Sequence, residues 1–110
     1  MTPWVTQLRK GMVELCILAV LEKREAYGYQ IVESLRVQRG LEFTESTVYP
    51  VLSRLAKEGR LSVRTEPSPS GPPRRYYRLT KAGTDEYEQM KMQWKWMAES
   101  LQTLIEGERK

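Results

Sequence analysis

"TESTVYPVLSRLAKEGRL", residues 44–61, has the spacing of a helix with a proline inside it. At about 100° per residue, Val51, Leu52 and Leu55 fall within about 60° of Val48, so the four share one apolar face. Ser46, Pro50, Ser53 and Lys57 fall on the opposite side, flanked by Thr47 and Arg54. A proline in a helix interior loses its N–H donor and presses on the carbonyl four residues back. Pro50 therefore belongs near the helix start and faces outward, forfeiting one bond to the Ser46 carbonyl. With Thr44 as N-cap, Phe43 and Val48 occupy the two positions of a hydrophobic staple. The helix survives its proline, and its outward face gathers short hydroxyls, a tyrosine and two cations.

After Gly59 the period changes from helical to alternating. Leu61, Val63 and Thr65 alternate with Ser62, Arg64 and Glu66, which predicts a half-buried strand. "PSPSGPP" (67–73) is a loop tip. "RRYYRL" (74–79) returns as a second strand, with Arg75, Tyr77 and Leu79 on one face and Arg74, Tyr76 and Arg78 on the other.

Charge is concentrated in the same region. The 110-residue chain carries 18 Lys+Arg against 14 Asp+Glu, a formal +4 with pI near 9.3. Residues 50–79 hold seven basic groups (Arg54, Lys57, Arg60, Arg64, Arg74, Arg75, Arg78) and two acids (Glu58, Glu66), leaving 11 basic and 12 acidic elsewhere. A modest overall excess says little, but +5 in one stretch marks a candidate polyanion-binding face.

Other chemistry is poorly represented. Histidine is absent and Cys16 is the single cysteine, which removes His-based catalysis and the usual Cys/His zinc sites. No nucleophile–base pair or phosphate loop suggests an enzyme, and no metal or cofactor is expected. Cys16 lies in the apolar run "MVELCILAVL" and is expected in the core. That run has no signal-peptide pattern, and Glu14 and Glu22 make it too short to span a membrane. The expected setting is soluble and cytoplasmic, with no membrane partner.

The remaining segments complete the plan. Val5 to Lys23 is expected as a helix apolar nearly all round, with Trp4 packing on its own domain. A second helix is predicted from Ala26 to Arg39, carrying the stripe Tyr27, Ile31 and Leu35. Its Gly28 would let another helix come close. Thr80 is the expected N-cap of a last helix reaching Ile105 before Gly107 stops it. Tyr87, Met90, Trp94, Met97, Leu101 and Leu104 are spaced 3, 4, 3, 4, 3, an a/d seam. At about 26 residues this helix is about 39 Å long, more than a small three-helix domain covers. A partner helix from a second chain is the favoured occupant of the seam, and the chain's own first helix is the other.

The expected fold is mainly α with a β-hairpin wing: a winged helix-turn-helix over 1–79, then a C-terminal dimerisation helix over 80–110. In such a fold residues 46–57 would be the recognition helix. Ser46, Thr47, Tyr49 and Ser53 suit phosphate or base contacts, Arg54 and Lys57 suit the backbone, and Pro50 fits against a sugar or thymine methyl. Taken alone, this face fits an ordinary solvated surface better; the basic hairpin turns the reading toward DNA. Arg64, Arg74, Arg75 and Arg78 would reach phosphates or an adjacent minor groove. A charged edge strand that discourages aggregation explains any single one of them as well.

"AYGYQI" (26–31), "STVYPVLSRLAKEGRL" (46–61) and "RRYYRLTKAG" (74–83) resemble the three signatures of the PadR-like transcriptional regulators, in the family's order. The short C-terminus resembles the branch with a single dimerisation helix. The resemblance implies a homodimeric winged-helix repressor on a pseudo-palindromic operator of double-stranded DNA. It also implies possible release by a small hydrophobic or phenolic effector. In some members a tryptophan of the last helix lines a pore between subunits, and Trp94 holds the matching place; plain dimer packing accounts for it slightly better. The alternative to an operator-binding regulator is a winged-helix module that docks an acidic protein partner.

Overall fold

A computed structural model describes residues 2–107; Met1 and the last three residues of the expected 80–110 segment lie outside them. In chain order the elements are α1 (Pro3–Lys23), β1 (Ala26–Tyr27), α2 (Gly28–Arg36), α3 (Glu45–Lys57), β2 (Leu61–Glu66), β3 (Arg74–Leu79) and α4 (Lys81–Glu106). The three strands form an antiparallel sheet in the order β1-β3-β2.

The core lies where α1, α2 and α3 meet the base of the sheet. Ile17, Leu18, Ile31, Val48, Leu52 and Leu55 are fully buried. Burying one such side chain contributes about 1.5–3 kcal/mol, so the apolar face of α3 fixes which way its polar face points. Phe43 and Val48 are both buried, as a staple requires. The Thr44 hydroxyl, however, makes no cap bond; it lies 2.9 Å from the Ser46 hydroxyl and 3.3 Å from that of Thr47. Pro50 is exposed within an unbroken α3.

Two expected boundaries are corrected. Ala26 and Tyr27 are not helical but pair with Tyr77 and Tyr76 of β3, and α2 runs only from Gly28 to Arg36. The Gln30 side chain accepts the Tyr27 N–H at 3.1 Å, capping the shorter helix. Strand β2 is also less buried than its alternation suggests: only Leu61 is buried, and Val63 is 41% exposed. The hairpin projects past the core, so its inward positions have nothing to pack on. Trp4 is likewise exposed rather than packed.

A glycine-centred joint follows α3. Gly59, at φ +79°, lets its own N–H and that of Arg60 return to the carbonyls of Ala56 and Leu55, closing the helix end. The free carbonyls then hold α4. The Thr80 N–H donates to the Arg60 carbonyl (3.1 Å), and its hydroxyl donates to the Gly59 carbonyl (2.6 Å) while accepting from Gly83 N–H (3.1 Å). A Cβ on Gly83 would stand 2.0 Å from the Arg60 carbonyl oxygen. Beyond this joint α4 runs on to Gly107, and the molecule extends 62 Å along its long axis.

Gly83→Ala is expected to destabilise by about 1–3 kcal/mol, because backbone atoms block the methyl. Helix propensity alone predicts the opposite sign, a gain of about 1 kcal/mol. Thermal unfolding separates the two; an unchanged or raised Tm contradicts the joint.

Candidate nucleic-acid interface

Every side chain expected to face DNA from α3 is exposed: Ser46, Thr47, Tyr49, Pro50, Ser53, Arg54 and Lys57. Ser46 and Thr47 sit in the first turn of α3, at the positive end of the helix dipole. Arg54 is already engaged. Its Nη2 lies 2.7 Å from Glu14 Oε1 of α1, and its Nη1 lies 3.2 Å from both Glu58 oxygens. Those bonds, Glu14's first, raise the guanidinium pKa further. Lys57 has no acidic partner among the described residues.

The wing divides its arginines in the same way. Arg64 donates through Nε and Nη2 to both oxygens of Glu25 (2.8 and 2.7 Å), and through Nη1 to Glu66. Its guanidinium stacks 4.7 Å from the centre of the Tyr76 ring. The Arg64 hydrogen bond holds the Glu25 carboxyl below the usual carboxylate range. Tyr76 meets Tyr27 edge-on at 5.2 Å, and Arg74 covers the other ring at 4.6 Å from Tyr27. Thus Arg74, Tyr27, Tyr76 and Arg64 form one ladder across the three strands. Arg74, Arg75 and Arg78 have no ion-pair partner among the described residues.

Between α3 and the wing lies an open cleft of about 470 Å³. It brings Tyr49 and Ser53 of α3 together with Arg74 and Arg75 of β3, beside Tyr27 and Gly28. Ser46, Thr47 and Lys57 lie outside it along α3, and Arg64 lines a separate surface hollow with Glu25 and Arg78. The carboxylates Glu14 and Glu25 were not legible as parts of this surface. Their positions depend on contacts 39 and 40 residues away in sequence, which no local pattern carries.

A second surface, along α1 and α4, is apolar. Tyr87 is buried in its own chain's core and Met90 is partly buried against it, so the first two seam positions are occupied internally. Trp94, Met97, Leu101 and Leu104 remain exposed, the last at 77%. Leu8, Met12 and Leu15 of α1 with Met90, Trp94 and Met97 of α4 line a groove of about 440 Å³. Trp96 and Ile105 are exposed on the same helix. Burial raises the Cys16 thiol pKa, which fits a core residue better than a nucleophile. Among the described residues no acidic or Cys cluster could hold a metal, and no helix is long and apolar enough to cross a membrane.

Comparison with known proteins agrees with this architecture. A PadR-like transcription factor from Bacteroides fragilis is 38% identical, with a TM-score of 0.76 over 90% of this chain and 95% of its own. A PadR family regulator from Eggerthella lenta is 31% identical, with a TM-score of 0.83 over 96% of this chain and 91% of its own. A PadR-like regulator from Bacillus cereus is 32% identical, with a TM-score of 0.81 over 93% and 99%. The model of the transcriptional regulator PadR-like family matches residues 17–89, from the middle of α1 into α4. A winged helix whose polar α3 face and basic hairpin share one surface is the architecture of a DNA-binding regulator, and this chain belongs to the PadR-like family of transcriptional regulators.

Proposed function

We propose that the chain is a homodimeric repressor that places two copies of α3 and its wing on a pseudo-palindromic operator. The observation that carries this is the cleft where Tyr49 and Ser53 meet Arg74 and Arg75, cations with no acidic partner among the described residues. Lys57, Arg74 and Arg75 are the phosphate contacts. Arg54 and Arg64, neutralised by carboxylates, position α3 and the wing. Ser46, Thr47, Tyr49, Pro50 and Ser53 face the groove. Bound across a promoter in the cytoplasm, such a dimer excludes polymerase.

The uncovered end of α4 supports the dimer. Four seam residues in a row, Trp94, Met97, Leu101 and Leu104, are exposed on a helix that outruns its own domain. Large contiguous apolar surface of this kind marks an interface. The 1–79 unit then binds DNA and α4 joins the subunits. Trp94, at the groove with α1, is the candidate contact for a small hydrophobic effector that releases the operator.

Two measurements test this reading. On a duplex enriched from a random pool, Lys57→Ala or Arg75→Ala lowers the magnitude of the log–log salt slope by about 2, since a dimer loses two contacts at about 0.9 each. Arg64→Ala and Glu25→Gln weaken binding with less change in slope, because these groups position the wing and neither is a phosphate contact. Equal slope losses at Arg64 and Arg75 would overturn that division.

For the dimer, Leu101→Glu or Met97→Glu gives monomers in sedimentation, since a buried unpaired charge costs about 3–5 kcal/mol. Variants that stay dimeric would remove α4 from the interface.

A further inference from the structure

Gly28 opens α2, yet its backbone does not require glycine. Its φ is outside the left-handed region, unlike those of Gly40, Gly59, Gly71 and Gly107. Helix propensity would favour alanine there by up to about 1 kcal/mol. Space supplies the reason. A Cβ on Gly28 would stand 2.5 Å from Cε1, 3.0 Å from Cζ and 3.2 Å from Cδ1 of Tyr49. The Tyr49 ring therefore rests against the bare α-carbon of α2.

Tyr49 is the party with room to give way in this contact. α2 and α3 are locked together through the fully buried Ile31, Val48 and Leu52, whereas Tyr49 is 42% exposed. A methyl group at Gly28 would push the ring outward and leave the helices in place. The ring now stands at the cleft with Ser53 and Arg74. Burial, the largest influence on it, raises the Tyr49 phenol pKa, and a neutral phenol can both donate and accept a hydrogen bond.

We propose that Gly28 is a positioning residue for DNA recognition: by lacking a side chain it seats the Tyr49 ring at the cleft, where Tyr49 contacts the operator. This rests on the operator-binding reading above. Tyr49 is the group that touches DNA, and Gly28 acts only through it.

The test is a double-substitution cycle on the full chain with Gly28→Ala, Tyr49→Ala and both together. Each is measured against the selected duplex and a scrambled one, alongside thermal unfolding. Each single change is expected to weaken specific binding on the order of tenfold, the scale of one lost contact. Affinity for the scrambled duplex and the salt slope stay the same. The double variant binds no more weakly than Tyr49→Ala alone, because without the ring the methyl meets nothing. Fully additive losses, or Gly28→Ala binding like the unsubstituted chain, would overturn the proposal. So would a loss for Gly28→Ala that Tyr49→Ala does not share. An unsubstituted chain that prefers no duplex would instead overturn the operator reading on which the proposal stands.

Discussion

The seating of α4 on the turn that ends α3 is the constraint on which the rest of the molecule depends. The Gly59 and Arg60 carbonyls, freed by the helix end, are both taken by Thr80, and Gly83 lets α4 approach them. The Arg60 guanidinium adds an ion pair to Glu86 at 3.3 Å. One end of the polar helix and the start of the long helix are thus a single joint rather than two elements on a linker. In the proposed dimer the separation of the two α3 helices follows from this joint and the α4 seam.

The same economy governs the charged surface. Ion pairs between exposed side chains are screened by solvent, so Arg54–Glu14 and Arg64–Glu25 matter little for stability. Their effect is geometric. Arg64 ties β2 to the segment before β1 while stacking on Tyr76, which fixes the wing before any ligand arrives. A surface ordered in advance loses less freedom on binding. The cations left over, Lys57 and Arg75, are then available for an external anion, and Arg74 is held on an aromatic ring beside the cleft.

Much of this was legible in the chain. The apolar stripe of α3, its outward Pro50, the alternation of the hairpin and the caps at Thr80 and Gly107 are local patterns, and local physics writes them. Three kinds of feature were not legible. Strand β1 exists because Tyr27 finds Tyr76 some fifty residues later, a pairing that helical periodicity cannot register. Val63 alternates correctly yet has no layer to bury it. Tyr87 and Met90 share spacing with Trp94 and Leu101, but the domain ends partway along α4, so one repeat serves two surroundings. Gly28 shows the intermediate case: its sequence position suggested a close approach, and only the packed structure identifies Tyr49 as the neighbour.

Selection of bound duplexes from a random DNA pool decides between an operator-binding dimer and a docking module. Two α3 helices related by a two-fold meet successive major grooves about 34–36 Å apart. The expected result is an enriched inverted repeat with half-site centres about 10–10.5 base pairs apart, bound with a steep salt dependence. A pool that enriches no sequence, or one that enriches a single unrepeated half-site, would contradict a two-fold regulator built on these elements.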